Sequence, residues 1–482
     1  MFDRLKMLLV NYKKISAPVK ASIWFIICSV LQKGIAFVGV PIFTRMMSTE
    51  QYGLYNTYVS WYSIIVAFTS LNLYYGGFNN AMIKYEKQQD QYVSSIQGLI
   101  AVLTGFAFVI YLLFQDFFNS LIGMPTHLVL LLFLELLFTP ALQLWTVHNR
   151  FDFKYKSVVA VTIVKTALNL LLGIVFVSLS LQKDVARIIS TVLVEVIVCG
   201  IVAIHQFYKG KCFFNKEFWK FAFIFNLPLL PHYLSGMVLN QGDRVMIRNI
   251  IGLSAVAFYS VANNLGQIID MFVNAICTSW TPWIYKELKD HRTINIAKRI
   301  NMLLLLMVIL ISGLMFIAPE LLRVLAASEY AEAIHVIPPI ISSAYFTLIY
   351  NVLACIEFYF AERKYAAMGS IAAAIANVGL NYIFINLYGY FAAGYTTLFC
   401  YMIFGLSHLI FCKWTVKKHL GNKNLFDQKV ILGLSLYIVF LSIIANYLYS
   451  FTMLRYCLIL VALFILFLKR KIIFSELKQT IF

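Results

Sequence analysis

Apolar runs of about 20 residues recur along the whole chain, and that is the length an α-helix needs to cross a hydrocarbon core ~30 Å thick. This ruler places spans at 18–41, 53–76, 93–114, 127–147, 158–179, 185–207, 219–243, 252–277, 300–319, 333–360, 366–387, 391–412, 430–449 and 453–468. The chain is therefore expected to be an all-α polytopic membrane protein, because lipid satisfies no backbone hydrogen bonds and each span must satisfy its own. Composition agrees. Of 482 residues, 61% are hydrophobic and 12% charged, too few charges to coat a soluble body of this size. The mean hydropathy is +0.81.

A formal charge of +18 would ordinarily suggest a nucleic-acid partner. Its distribution argues otherwise. With the N-terminus inside, the outer ends of the spans hold only Arg45, Lys183, Arg187, Arg244, Arg248, Arg323 and Arg455. Lys33 and Lys165 lie within spans, and all other Lys and Arg fall on the inner side. This is the positive-inside pattern; it predicts both termini in the cytoplasm and needs no nucleic acid. The basic stretch Met1–Lys20 shows no small-residue cleavage site, so the first span is expected to be retained. The eight cysteines form no Cys-x-x-Cys pair and read as small packing residues, with no metal site expected.

Connecting segments are too short for a folded enzyme domain, and no Walker loop, His-Glu-x-x-His or Gly-x-Ser-x-Gly occurs. The chain is expected not to be an enzyme. An internal repeat is visible instead: Arg45, a short turn and Tyr55 match Arg248, a short turn and Tyr259. The repeat predicts an N-terminal lobe over 1–212, a second lobe over 213–420, and an appended helix pair with a cytoplasmic tail over 421–482. Pro228 and Pro231 must kink or break the seventh span, as a packing kink or as a bending point.

Several segments resemble a known family. Lys33-Gly34, Pro41-Ile42-Phe43-Thr44-Arg45, Ser48-Thr49-Glu50-Gln51-Tyr52-Gly53-Leu54-Tyr55 and Asn240-Gln241-Gly242-Asp243-Arg244-Val245-Met246-Ile247 resemble polysaccharide flippases of the Wzx type. These belong to the superfamily that includes multidrug and toxin extruders and the lipid II flippase. The resemblance implies two six-helix bundles facing each other in a V. It also implies export of an undecaprenyl-diphosphate-linked oligosaccharide from the cytoplasmic to the outer leaflet of a bacterial cell membrane, for O-antigen, capsule or exopolysaccharide. A polysaccharide polymerase and glycosyltransferases would be its pathway partners.

Ionisable residues at membrane depth cost roughly 2.5–3.5 kcal/mol on insertion scales and are functional candidates. Lys33, Arg45, Lys165, Arg244 and Arg248 are the candidates for a cationic surface that receives a diphosphate. Lys165 and the three arginines have the alternative role of interfacial anchors. Glu135, Glu195, Asp243, Asp270 and Glu357 are candidates for coupling export to a proton or sodium gradient, or for counter-charges to the basic set. No organic cofactor is expected. Trp24, Trp61, Tyr74, Tyr75, Trp145, Tyr233, Trp280 and Trp283 have the rings to stack on sugars, although packing and interfacial roles are commoner.

Three rivals remain open. A multidrug exporter would want an acid in the first helix, whereas that helix carries Lys33 and no acid between Pro18 and Pro41. A lipid II flippase fits the helix count equally well. A membrane-embedded polymerase or glycosyltransferase would want a large outer loop, and the turn from Thr44 to Tyr52 is too short.

Overall fold

The structure is a computed structural model that describes residues 16–468 and 470, apart from 294, 422 and 423. Every expected span is matched by a helix. The long helices are α1 (Ala17–Met46), α2 (Thr49–Ser70), α3 (Gln89–Leu113), α4 (Thr126–Phe151), α5 (Tyr155–Leu179) and α6 (Lys183–Gly210). Then follow α7 (Lys216–Ile250), α8 (Leu253–Lys289), α9 (Ile296–Phe316), α10 (Ile337–Tyr359), α11 (Arg363–Tyr388) and α12 (Phe391–Leu420). The series ends with α13 (Gln428–Leu448) and α14 (Thr452–Leu468). Eleven of these are long and apolar enough to cross a membrane. The other three are α2 and α8, which carry more polar residues, and α14, which is 17 residues long. The protein is a multi-pass membrane protein, all-α throughout the described residues.

Local chemistry sets several ends. Ser48 starts α2 with a capping box: its Oγ accepts from Gln51 N at 3.2 Å, and Gln51 Oε1 accepts from Ser48 N at 3.1 Å. The helix stops at Ser70, earlier than expected, because Leu71 and Asn72 turn left-handed at φ 46° and 47°. Asp427 Oδ1 caps α13 by accepting from Lys429 N and Val430 N. α8 runs on to Lys289, well past the expected end at 277.

The seventh span does break. A helix over Lys216–Asn226 gives way to one 3-10 turn, Leu227–Leu229, and resumes over Leu230–Ile250. Pro228 sits in the turn, and Pro231 falls in the first turn of the resumed helix, where its missing N–H costs little. The connection after α2 lies against this break. Gly76 has φ +57°, and a Cβ there would come within 3.0 Å of Asn226 Oδ1 and 3.1 Å of the Tyr233 hydroxyl. Only glycine fits both the backbone and the space.

Two compact units result, Met1–Leu234 and Ser235–Phe482. The division falls inside α7, whereas the repeat placed it near 212. In the first unit α4 packs on α3 and α6, and α5 joins α1 to α6. The start of α7 is held there too: Trp219 Nε1 donates to Ser95 O at 2.9 Å and Tyr85 Oη donates to Glu217 Oε1 at 2.9 Å. In the second unit α10 is the hub, touched by α8, α9, α12 and α13, while α11 packs on α12. The repeat shows in one further feature. A short helix follows α3 (Gln115–Ile122), and another follows α9 (Ala318–Leu325), the same place in each series.

Candidate functional site

In the first unit, α5 brings Lys165 to α6. Its Nζ donates to both oxygens of Glu195, at 2.7 and 3.0 Å, with the two side chains 16% and 10% exposed. α5 begins at Tyr155, which puts Lys165 near its middle, deeper than the snorkelling position considered from sequence. Cys199, one helical turn on from Glu195, donates to it at 3.2 Å. Glu135 on α4 is buried and accepts from the Tyr58 hydroxyl on α2 at 2.7 Å. Lys165 is therefore paired in place by the Glu195 carboxylate.

Arg187, read from sequence as an outer-end basic residue, is buried. Its Nη1 donates to Asn169 O at 3.2 Å, Ser190 Oγ at 3.3 Å and Thr191 Oγ1 at 3.1 Å, and its Nη2 donates to Asn169 Oδ1 at 2.8 Å. The guanidinium also lies over the rings of Phe43 and Tyr55, 4.3 and 4.9 Å from their centroids. Nearby, Lys183 Nζ caps the end of α1 by donating to Met46 O at 2.6 Å.

Lys33 stands apart from these. It is half-buried on α1, and it makes no hydrogen bond or ion pair among the described residues. The neighbouring Gly34 has open space where a Cβ would sit. Arg45 is exposed and donates to Pro41 O at 2.8 Å.

In the second unit the centre is Asp243 on α7, which is 2% exposed. Its Oδ1 accepts from Asn381 Nδ2 on α11 at 2.6 Å. Its Oδ2 accepts from Thr397 Oγ1 on α12 at 2.8 Å and from the Tyr259 hydroxyl on α8. A second layer supports these donors: Asn377 Nδ2 donates to Thr397 Oγ1 at 3.1 Å, and Thr396 Oγ1 donates to Asn381 Oδ1. The adjacent Arg244 turns elsewhere, to Ser260 Oγ at 3.0 Å and Gln241 Oε1 at 2.6 Å, and is buried rather than interfacial. Arg248 donates to Asn249 Oδ1 at 3.0 Å, and Asp270 is half-buried on α8. Glu357 on α10 is fully buried and pairs with His408 Nδ1 on α12 at 2.8 Å.

The basic candidates are divided between the two units. Lys33, Arg45 and Lys165 belong to the first unit, Arg244 and Arg248 to the second. Among the aromatic candidates, Tyr75 meets Tyr233 beside the α7 break, and Trp280 rests on Trp283 while donating to Val352 O at 3.2 Å. Sequence reasoning missed Arg187, Asn377, Asn381, Thr397 and His408. The signal for the asparagines was present: Asn377 and Asn381 are one helical turn apart in the otherwise apolar run 371–381. No group of three or more His, Cys, Asp or Glu suited to a metal occurs among the described residues. All eight cysteines are free.

Known proteins give the same fold. The chain is similar to a structure described as the lipid II flippase MurJ in an inward closed conformation, with TM-score 0.68 and 13% identity over 94% of this chain and 100% of that one. It is also similar to an inward-facing multidrug resistance MATE family transporter of the MOP superfamily, with TM-score 0.60 and 14% identity over 82% of this chain and 96% of that one. At such identities the likeness is one of fold. A search of curated protein sequences finds no match. The family model described as "Polysaccharide biosynthesis protein" matches residues 19–288, more than half of the chain, so the chain belongs to the polysaccharide biosynthesis protein family.

Proposed function

We propose that this protein is a flippase that carries an undecaprenyl-diphosphate-linked oligosaccharide repeat unit from the cytoplasmic to the outer leaflet of a bacterial cell membrane. Both termini are cytoplasmic, and the product feeds a surface polysaccharide such as O-antigen, capsule or exopolysaccharide. Glycosyltransferases supply the lipid-linked unit, and a polymerase consumes it. The observation that carries the reading is Lys33. Within a family assigned to polysaccharide biosynthesis, the first span presents one half-buried ammonium with no protein partner among the described residues and no acid between Pro18 and Pro41. An unpaired ammonium at that depth is tolerable where it meets water or an anion. A diphosphate is such an anion, and it needs a polar host because bare charge in hydrocarbon is prohibitive. The same observation speaks against a cationic drug as cargo.

Flipping makes and breaks no covalent bond. The cycle requires two states that bind the head group differently, with energy from outside to bias them. Asp243 is the coupling site in this reading. It is a buried carboxylate that accepts from one amide N–H and two hydroxyls, an acid at membrane depth of the kind that takes up a proton or a sodium ion during transport. The Pro228–Pro231 break is the bending point, with the Gly76 turn packed against it.

The test is a deletion strain complemented with plasmid-borne variants. Loss of the gene should trap the lipid-linked intermediate on the cytoplasmic leaflet and abolish surface glycan. Lys33→Ala should fail to restore display while the protein remains in the membrane at normal level. Full display with Lys33→Ala would remove Lys33 from the mechanism.

A further inference from the structure

The two units build the same four-helix junction around opposite charges. In the second unit, α7, α8, α11 and α12 meet at Asp243, through Tyr259, Asn381 and Thr397. Their counterparts by order in the repeat are α1, α2, α5 and α6. These meet at Arg187, through Phe43 on α1, Tyr55 on α2, Asn169 on α5 and Thr191 on α6. The sequence match that sets Arg45 on Arg248 also sets Tyr55 on Tyr259 and leaves the buried Val40 where the second unit has Asp243. The first unit therefore lacks the acid and contains a cation.

That cation is enclosed by dipoles and rings alone. Arg187 is 6% exposed, and no carboxylate pairs with it among the described residues. Its fork reaches one backbone carbonyl, one amide oxygen and two hydroxyls. Gly173 leaves the space it needs: a Cβ there would lie 2.6 Å from Nη1. Such a slot suits a flat guanidinium and not a compact ammonium. Burying an unpaired charge is costly, so its retention calls for a role.

The geometry points to Arg187 as a covalently held cation that positions α1. It occupies in the first unit the place a dissociable cation takes in the second, and with Lys183 it holds the outer end of the helix that carries Lys33. The first unit is then permanently closed, and only the second answers to ions in solution. The contrast rests on the cation reading of Asp243; the positioning role of Arg187 does not, and it is tested separately.

The experiment uses Arg187→Ala in the full-length protein, with guanidinium chloride as the probe. In detergent, the variant should melt below wild type. Low-millimolar guanidinium should raise its Tm but not that of wild type, and equal sodium or ammonium chloride should not. The double variant with Asp243→Asn should keep the guanidinium response, so failure of the coupling reading leaves this one standing. In cells, Arg187→Ala and Arg187→Lys should both lose surface glycan. Wild-type melting and display in Arg187→Ala, or a Tm shift no greater with guanidinium than with sodium, would overturn the proposal. Should Arg187→Ala not accumulate, Gly173→Ala crowds Nη1 while keeping the charge. Loss of display with the protein in the membrane then supports the role, and normal display overturns it.

Discussion

The first unit buries its charges in finished arrangements, while the second buries an acid whose hydrogen bonds come from an amide and two hydroxyls. Lys165 lies against both oxygens of Glu195, and Arg187 is fixed by Asn169 and two aromatic faces. Asp243 is ringed by an amide and two hydroxyls, and the arginine next to it in sequence points its hydrogen bonds at Ser260 and Gln241. Twofold repeats are often described as two copies of one machine. Here the copies share helices and differ in the charge at the shared junction, Arg187 in one and Asp243 in the other.

The sharpest way to break this contrast is at the two acids. Asp243→Asn keeps the shape and removes the charge; it should abolish ion-driven transport while the protein still folds, read as surface glycan and as thermal unfolding. Transport that survives this change would place the coupling site elsewhere. Glu195→Gln should act differently. It strands the Lys165 ammonium and should destabilise the first unit by roughly 3 kcal/mol, whereas Lys165→Met with Glu195→Met should return most of that stability. Denaturant unfolding in detergent reads both variants, and equal stability of single and double variants would deny the pair its structural role.

A smaller effect concerns the appended helices, which only the second unit carries. Arg455, near the start of α14, holds Glu320 through both oxygens, at 2.5 and 2.7 Å, and Tyr456 donates to the same carboxylate at 2.8 Å. These bonds pull the Glu320 carboxyl down to about 2, below the ordinary carboxylate range near about 4. A depressed acid contributes its stability above the unfolded value and loses it as pH falls through the folded one. The attachment of α14 should therefore be flat from neutral pH to about 4 and weaken between about 4 and 2. A spin-label distance between α9 and α14 followed through that range checks it. Smallest is the cap of α2: Ser48→Ala should cost about 1 kcal/mol in unfolding and leave transport unchanged.

The spans were legible because crossing a bilayer demands apolar length, and length is written directly in the sequence. α8 was read too short because its last turns, past Trp283, carry Lys286, Glu287 and Lys289, whose charges mask helix continuity. The break in α7 was legible because two prolines leave the backbone no alternative. The partners were not legible. Lys165 and Glu195 lie 30 positions apart, and only the packing of α5 on α6 selects one acid from several. Arg187 read only as an outer-end basic residue because its burial depends on how α1, α2 and α5 close over it. Asn381 looked like any polar residue until Asp243, 138 positions earlier in the chain, was placed against it.

The most direct measurement is translocation in vesicles holding only this protein. Purified protein would be reconstituted with an undecaprenyl-diphosphate-linked oligosaccharide, and a membrane-impermeant glycosidase would report which leaflet holds the sugar. The account predicts transfer above protein-free vesicles, driven by a proton or sodium gradient, lost with Lys33→Ala, and made gradient-independent or absent with Asp243→Asn. Sugar that stays in its original leaflet under every gradient, in vesicles that instead accumulate organic cations, would contradict it.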